Sequence, residues 1–205
     1  MTAVERPVGE AKPEIYDVSN YKMQDITFKR KLRNRIGTLG FNMIVTFIPS
    51  HWIRQNFLRA FGATIGKDVS IFRGTTVLDP EGLTIGDACS IGFRCMLDAR
   101  GGITIGSNVV IASDTHIIAG YHDHNSPEFT PILEPCVIND YVWIASRSTL
   151  LSGVTLGRGA VVGGCSMVRG DVGELEVVAG VPAKVRAMRD PKALAYRPKY
   201  RPLFY

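Results

Sequence analysis

Three of the four histidines in this 205-residue chain lie within nine residues of one another, at His116, His122 and His124. An imidazole side chain titrates near neutral pH and can therefore take a proton from a hydroxyl group as a general base. His116 directly precedes an apolar ladder position and is expected to point outward, whereas the other two lie in a polar segment. The carboxylates available to orient such a ring are Asp98, Asp123 and Glu128.

The element that must position these histidines is a ladder of apolar residues spaced mostly six apart. Fifteen positions in five groups of three are all Ile, Leu or Val: Ile65, Ile71, Val77, Ile85, Ile91, Leu97, Ile105, Ile111, Ile117, Ile138, Ile144, Leu150, Leu156, Val162 and Val168. A mostly small or β-branched residue stands two positions before each. A helix cannot hold a period of six on one face, so the pattern predicts short strands joined by tight corners in a three-sided coil.

The sequence therefore predicts an all-β solenoid, a parallel β-helix of about five coils, over residues 63–187. The step from Ile117 to Ile138 takes 21 residues instead of the eight that separate the earlier coils. The surplus forms a loop, 119–137, and a loop that interrupts a regular solenoid commonly carries function. Outside the coil we expect a leader arm at 1–20, a helical cap at 21–62 and a tail at 188–205.

A first helix is predicted over residues 28–47, where apolar residues follow a helical period. Gly37 and Gly40 mark a place where this helix could break. It could cover the open end of the coil, whose strand edges need protection, or it could lie at a membrane interface. Capping is the favoured interpretation because repeat proteins need caps.

A second helix is predicted over residues 52–61, with Ser50 as its N-cap and Gly62 directly after its last residue. Its aromatic residues fall on one side. Arg54 is expected near the opposite, polar side, so the helix would be amphipathic.

The net charge of +5 is unevenly distributed along the chain. Residues 21–60 carry eight basic residues and one acidic residue, and residues 184–205 carry seven and one. This pattern favours contact with an anion, such as cofactor phosphates, a lipid diphosphate or a membrane surface. Nucleic acid is disfavoured, because the sequence has neither an aromatic-interleaved basic motif nor a recognition helix.

The four cysteines favour a structural role. Cys89, Cys95 and Cys136 occupy the small position of the repeat, and Cys165 lies one place off it. There is no CxxC pair and no zinc-ligand spacing, so we predict no metal site.

No stretch is apolar enough to span a bilayer and the first residues do not form a secretory signal. We therefore expect a cytoplasmic location, with the inner face of the membrane as an alternative.

The Ile-Gly hexads resemble those of the hexapeptide-repeat acyltransferases, whose fold is a left-handed parallel β-helix. In this chain we expect the coil to be followed by a short C-terminal helix or tail. Three segments, 105–123, 140–146 and 153–185, are similar to the maltose, galactoside and capsular or colanic-acid acetyltransferase branch of that family. The most specific features are the loop histidine in Gly-Tyr-His-Asp, the Val-Trp-Ile run and the Ala-Gly-Val-Pro-Ala run.

This resemblance implies an O-acetyltransferase that moves an acetyl group from acetyl-CoA to a hydroxyl group of a sugar, polysaccharide precursor or glycolipid. His122 matches the catalytic base, which would deprotonate the acceptor as its oxygen attacks the thioester directly, with backbone N–H groups steadying the oxyanion. Residues expected to contact the acceptor are Asp98, Tyr121, Asp123 and His124. Residues expected to contact CoA are Ala145, Ser146, Gly164, Arg169, Lys184 and Arg186.

The family also implies a homotrimer with each active site between two subunits, and no metal cofactor. Two positions depart from its pattern: Gly92 stands where the maltose type carries an acceptor-binding Asn, and Arg169-Gly170 stands where Thr-Lys is common. Two other interpretations stay open at this point. One is a metal hydratase of the γ-carbonic-anhydrase kind that uses the three clustered histidines, and the other is a non-catalytic β-helix scaffold.

Overall fold

A computed structural model of the protein describes residues 27–198. Its main body is a parallel β-helix, in which short strands stack into three sheets that form the sides of a coil. The predicted leader arm and the last seven residues of the predicted tail, 199–205, lie outside the described residues. No helix in the described part is long and apolar enough to cross a membrane.

The strands are two to six residues long and are joined by tight corners, as the six-residue period requires. In chain order they are β1 Thr64–Ile65, β2 Ser70–Ile71, β3 Thr76–Leu78, β4 Leu83–Ile85, β5 Ser90–Ile91, β6 Met96–Asp98, β7 Ile103–Ile105, β8 Val110–Ile111, β9 His116–Ile118, β10 Gly120–His122, β11 Pro131–Leu133, β12 Cys136–Ile138, β13 Trp143–Ile144, β14 Thr149–Leu150, β15 Thr155–Leu156, β16 Val161–Val162, β17 Met167–Val168, β18 Glu176–Gly180 and β19 Ala183–Met188.

Each sheet collects one strand from every coil. The first sheet has the order β1-β4-β7-β12-β15, and the third has the order β17-β14-β9-β6-β3. The second sheet has the order β19-β18-β16-β13-β8-β5-β2, while β10 and β11 pair with each other outside the coil. The pairing is parallel between coils, so equivalent ladder residues stack directly, as Ile71 does on Ile91.

The predicted ladder is the core of the coil. All fifteen positions are buried, and none is more than 8% exposed. The residues two places earlier are buried as well, and they include hydroxyl side chains. Thr75 donates to the carbonyl of Phe72, Thr115 to that of Ala112 and Ser148 to that of Ala145. These bonds satisfy polar groups that a dry interior would otherwise leave unpaired.

The coil continues past the predicted ladder by a partial sixth turn. Val172 bridges to Leu156, and Val178, six residues later, pairs with Val162. The step into this turn is only four residues long, so the period of six does not reveal it. Antiparallel β19 then pairs with β18, and a short 3₁₀ helix follows at Pro191–Ala193.

Two helices precede the coil: α1, Phe28–Met43, and α2, His51–Ala60. A 3₁₀ turn at Val45–Phe47 joins them, so the first helix ends earlier than predicted. The predicted N-cap is confirmed, because the hydroxyl of Ser50 accepts a hydrogen bond from the backbone of the second helix.

The two glycines of α1 do not break the helix. A Cβ atom on Gly37 would lie 2.6 Å from Cδ1 of Phe61, and one on Gly40 would lie 3.1 Å from Cζ of Phe57. The absence of side chains at these positions lets the helices approach closely, which offsets the low helix propensity of glycine.

Arg54 is fully buried, although the sequence pattern places it near the polar side of α2. Its Nε donates to the carbonyl of Ile71 at 2.7 Å, and Nη1 donates to the carbonyl of Ile48. Burial, together with the positive charge of Arg73, lowers the pKa of Arg54 to about 10, so it is still protonated at neutral pH. The polar side of α2 faces the backbone carbonyls of the first coil instead of water.

Polar side chains from the helical region cover the unpaired strand edge of the first coil. The amide of Asn42 donates to the carbonyl of Val77 at 3.0 Å and accepts from its N–H at 2.9 Å, as a neighbouring strand would. The hydroxyl of Thr46 donates to the carbonyl of Thr75 at 2.7 Å. Gln55 and Arg59 donate to the carbonyls of Val69 and Ile65. A parallel strand edge that would be open to another chain is thereby protected.

Candidate active site

The long step in the ladder is an ordered β-hairpin in the structure. Strands β10 and β11 pair antiparallel, with His122 opposite Pro131. The two ends of the insertion meet at the coil wall, where the N–H of Glu134 donates to the carbonyl of Ala119 at 3.2 Å. The coil therefore continues beneath the hairpin, and the hairpin projects from the corner that links the third sheet to the first.

The imidazole of His122 is held by Phe129, across the turn of the hairpin. Nδ1 lies 2.7 Å from the carbonyl oxygen of Phe129, and the two rings stack with centroids 4.4 Å apart and planes 7° from parallel. A carbonyl oxygen can only accept, so Nδ1 carries the proton and donates. The neutral ring then keeps a lone pair on Nε2, which is the arrangement that a general base requires.

The turn that holds Phe129 is built from local hydrogen bonds. The N–H of Asp123 donates to the carbonyl of Thr130 at 2.9 Å, and the N–H of Phe129 donates to the carbonyl of Ser126, also at 2.9 Å. Phe129 has φ of 49°, in the left-handed region that is uncommon for residues other than glycine. An aromatic residue in this conformation is consistent with a functional constraint on the turn.

The predicted carboxylates have other partners. Asp98 is 2% exposed, and both of its oxygens accept from Arg100, at 2.8 and 2.7 Å. This contact raises the pKa of the Arg100 guanidinium. Asp123 accepts from the N–H of Asn125, and Glu128 accepts from the hydroxyl of Ser126. The hydrogen-bond partner of the His122 ring is a backbone carbonyl instead of a carboxylate.

Two predicted acceptor contacts and a third histidine lie at the surface around this hairpin. Tyr121 is 43% exposed on β10, and His124 is exposed just beyond the strand. His116 is exposed on β9, as expected for a residue that precedes the buried Ile117. Within residues 27–198, no three His, Cys, Asp or Glu side chains converge as metal ligands would.

Ala145, Ser146 and Gly164 come together at one corner of the coil. The N–H of Cys165 donates to the carbonyl of Ser146 at 3.0 Å, which stacks the two corner segments directly. A Cβ atom on Gly164 would lie 3.4 Å from the Ser146 carbonyl oxygen, and both residues are exposed. This corner offers a flat backbone surface with small side chains, which a narrow pantetheine chain could approach closely.

Two cations line a groove at the end of the coil. Arg169 and Lys184 lie on a cavity of about 370 Å³, which Asp171 and Glu176 also line. Arg186 lies in the same strand, at the register shift opposite Val177 and Val178. A β-bulge of this kind re-aims a side chain, and here that side chain is exposed. The structure therefore places two of the three predicted phosphate ligands on one groove.

The hairpin and the small-residue corner lie at different corners of the coil. The hairpin leaves after β9, between the third and first sheets, whereas Ala145 and Ser146 lie between β13 and β14, at the junction of the second and third sheets. A side of about five or six residues at about 3.3 Å each separates these corners by about 15–20 Å. Within one chain, the candidate base and the candidate pantetheine surface are therefore apart.

The structure also explains one departure from the maltose type. A Cβ atom on Gly92 would lie 2.5 Å from the backbone nitrogen of Ser113, so no asparagine fits there without a shift of the coil. Phe129 is the residue that sequence reasoning missed. Its contact with His122 depends on the register of the hairpin, and no local sequence pattern marks it.

Comparisons with known proteins agree with this geometry. The sequence profile described as "bacterial transferase hexapeptide (six repeats)" matches residues 135–170. WcaF of Escherichia coli K12, provisionally named a colanic acid biosynthesis acetyltransferase, is 39% identical over 132 residues, which cover 64% of this chain and 72% of WcaF. WbbJ of the same strain, provisionally named a lipopolysaccharide biosynthesis O-acetyl transferase, is 30% identical over 179 residues, which cover 76% of this chain and 91% of WbbJ.

Among solved structures, a hexapeptide-repeat acetyltransferase of Vibrio cholerae in complex with acetyl coenzyme A superposes with a TM-score of 0.69. The match has 24% sequence identity and covers 85% of this chain and 93% of that chain. At this identity the similarity concerns the fold, and it confirms the predicted fold class, a parallel β-helix.

Proposed function

The chain belongs to the hexapeptide-repeat acyltransferases, and we propose that it transfers an acetyl group from acetyl-CoA to a hydroxyl group of a sugar or glycolipid acceptor. The names of two relatives support this acceptor class, because they refer to colanic acid and lipopolysaccharide biosynthesis. The bound acetyl coenzyme A of the Vibrio cholerae structure supports the donor.

The observation that carries the proposal is the contact of His122 with the carbonyl oxygen of Phe129. This contact leaves Nε2 as the basic nitrogen, on an exposed ring at the end of β10. A base that takes the proton of an attacking hydroxyl typically contributes about 10²–10⁴-fold to the rate. No cysteine nucleophile is needed, which agrees with the burial of Cys89, Cys95 and Cys136.

The proposed reaction proceeds by direct attack. The acceptor oxygen bonds to the carbonyl carbon of the thioester as Nε2 of His122 takes the hydroxyl proton. Backbone N–H groups steady the oxyanion of the tetrahedral intermediate. The intermediate collapses, the carbon–sulfur bond breaks, and the imidazolium returns its proton to the sulfur. The products are the acetyl ester and free CoA thiol.

We place the donor along the corner formed by Ala145, Ser146 and Gly164. Its phosphates would meet the exposed side chains of Arg169 and Lys184, which line the end groove, and of Arg186 in the same strand as Lys184. The fit is supported by the small side chains at the corner and by the cations beside the groove. Asp98, Tyr121, Asp123 and His124 are the proposed acceptor contacts, with the buried Asp98 acting through its partner Arg100.

We further propose a homotrimer in which each site lies between two subunits. The separation of the hairpin from the small-residue corner within one chain supports this arrangement, because a neighbouring subunit could bring the two together. The flat sheets of a triangular coil are also suited to pack around a threefold axis. We propose a cytoplasmic site of action, at the inner face of the membrane where glycolipid precursors would be reached.

The test of this function is a thiol-release assay with acetyl-CoA and a panel of saccharides, alkyl glycosides and lipid-linked oligosaccharides, coupled to mass spectrometry of the product. We expect CoA release that depends on the acceptor, together with a mass increase of one acetyl group. CoA release that is the same with and without every acceptor, or no release at all, would overturn the proposal. Equal activity after removal of metals with a chelator would separate it from the hydratase interpretation.

A further inference from the structure

An apolar stripe runs along α1 on the side that faces away from the coil. Its members are exposed by between 44% and 79%: Phe28, Leu32, Ile36, Leu39 and Met43. At about 100° per residue they fall within about 80° of one another. Phe41, which is buried against the coil, lies on the opposite side of the helix. The apolar period predicted for this helix is real, but its apolar side points away from the core.

Further exposed apolar residues follow α1 in the chain. Four further exposed residues lie in the connection and at the start of α2: Ile44, Phe47, Trp52 and Ile53. Nine of the fifteen large apolar side chains that are exposed within residues 27–198 therefore belong to one stretch of 26 residues. Scattered exposed apolar residues are normal, but a contiguous patch marks an interaction site.

Cations without acidic partners border the stripe. Lys29 lies on one side of it and Lys31 and Arg35 lie on the other, and none of the three has an ion pair within the described part of the chain. The sequence contains no Asp or Glu between residues 26 and 67. The neighbouring Arg30 and Arg33 are engaged with Glu81 on the side that contacts the coil.

We infer that this face of α1, with the residues that continue it, binds the surface of an anionic lipid bilayer. An amphipathic helix with an apolar face and flanking Lys and Arg residues lies in the bilayer interface, with its apolar side among the acyl chains. The aliphatic stems of Lys and Arg extend along that boundary while their charges reach the lipid phosphates. Trp52 adds a side chain that favours the interface.

Charge complementarity selects lipid over a symmetrical contact of this face with the same face of a second copy. Apposition of two such faces would bring the same cations together with no acidic residue to offset them, and Lys is depleted at the centres of protein interfaces. An anionic bilayer supplies both the apolar phase and the negative charge. The inference deepens the proposed function. Its consequence, that the acceptor is carried by the membrane, rests on that proposed function.

Helix α1, which carries the docked face on its outer side, is held near the hairpin that carries the candidate base. Helix α1 contacts the 3₁₀ corner at Pro80–Gly82 through the ion pairs to Glu81. The corner at Pro80–Gly82 stacks under the corner of the next coil, because a Cβ atom on Gly82 would meet the carbonyl oxygen of Ala99. That second corner stacks under Ala119 at the base of the hairpin, because a Cβ atom on Gly101 would meet the carbonyl oxygen of Ala119. Two coil steps of about 4.8 Å each place the hairpin base about 10 Å along the coil axis. A saccharide on a membrane-embedded carrier could therefore reach His122.

The test is co-sedimentation of the purified full chain with vesicles of phosphatidylglycerol and phosphatidylcholine, and with vesicles of phosphatidylcholine alone. The stripe variant replaces Leu32, Ile36 and Leu39 with Ser, and the charge variant replaces Lys29, Lys31 and Arg35 with Gln. A matched control replaces Lys67, Arg158 and Lys192, which are exposed elsewhere, with Gln. Circular dichroism and light scattering report fold and oligomeric state for each variant.

We expect binding to the anionic vesicles, a loss of at least tenfold in the stripe variant, and a loss of about fivefold for each cation removed at low salt. The control should bind as the natural chain does. Failure of the natural chain to bind anionic vesicles, or undiminished binding by the stripe variant, would overturn the inference. If the natural chain does not bind vesicles and the stripe variant changes oligomeric state, the face forms contacts between copies of the chain. That result would also overturn the inference.

A second measurement keeps the inference separate from the proposed function. Acetylation of an alkyl glycoside in anionic vesicles should be faster than that of the matching soluble glycoside, and the stripe variant should lose only the difference. If neither acceptor is acetylated, the proposed function fails, whereas the co-sedimentation result still decides the docking surface.

Discussion

Two regions attached to the β-helix, the helical cap and the hairpin, use polar side chains in opposite ways. At the first coil, the helical region buries Arg54, Gln55 and Thr46 against backbone carbonyls. At the hairpin, His122 and its neighbours stay exposed and hydrogen-bond mainly within the turn. In the first region the polar groups bind the strand edge of the first coil. In the second region one ring nitrogen of His122 remains available for chemistry. Substitutions in the first should therefore change stability, and those in the second should change activity.

The largest stability effect is expected at the first coil. Arg54→Met removes a charged donor from the carbonyls of Ile48 and Ile71, each of which keeps one other contact, to the N–H of Ser50 and to Nδ1 of His51. Loss of hydrogen bonds from a charged group should lower the free energy of unfolding by about 1–3 kcal/mol. Urea unfolding followed by circular dichroism measures this change. The exposed Arg35→Met serves as the control and should shift stability by less than about 0.5 kcal/mol. Equal effects of the two substitutions would break the comparison.

A smaller effect is expected at the hairpin from Phe129→Ala. The carbonyl that fixes the His122 tautomer stays, while the stacked ring is lost, so kcat should fall by up to about tenfold as an aromatic contact of about 0.5–1.5 kcal/mol is removed. KM for acetyl-CoA should not change, and Phe129→Tyr should restore the rate. Because Phe129 is 57% exposed, stability should be unchanged. A lower melting temperature with an unchanged kcat would make the residue structural instead.

The smallest expected effect is a difference in thiol reactivity between the buried cysteines of the ladder and the exposed Cys165. Burial raises the pKa of Cys89, Cys95 and Cys136 to about 11 each, whereas Cys165 is exposed. A thiol-specific reagent at pH 8 should modify one residue of the native chain and all four after denaturation. Peptide mapping should identify Cys165 as the modified residue. Rapid reaction of a ladder cysteine would contradict the closed core.

The same shifts predict how alkaline pH affects stability. The folded thiols keep their protons up to about pH 11, whereas unfolded thiols lose them near pH 8.5. The folded state therefore binds more protons in this window, and the free energy of unfolding should fall as the pH rises through it. Chemical denaturation at several pH values between 8 and 10.5 measures the slope, and substitution of Cys95 by Ala should reduce it.

Much of the fold is predictable from the sequence because the ladder is a one-dimensional signal. The apolar residue at each ladder position predicts that this position is buried, and all fifteen are buried as expected. The partial sixth turn lies within the predicted β-helix but outside the six-residue ladder, because its entry step is four residues long. Arg54 escapes for a different reason, since helical periodicity cannot tell water from a neighbouring row of carbonyls when both attract polar side chains.

The candidate site was only partly predictable. His122 could be singled out because it lies where the period is broken, and the resemblance to a family strengthened that choice. Phe129 could not, because its contact with His122 depends on hairpin register, which local composition does not determine. The exposed stripe of α1 was also not predictable. An apolar period predicts a helix, but it does not determine whether the apolar side faces the protein core or the surroundings.

The most direct test of the account is the rate of acetyl transfer by His122→Ala, measured as CoA thiol release with an acceptor that the natural chain uses. We predict that kcat falls by about 10²–10⁴-fold, the usual contribution of a general base, with an unchanged melting temperature. His124→Ala, two residues further along the same exposed turn, is the matched control and should lose less than tenfold. A His122→Ala protein that turns over at the natural rate would contradict the central claim.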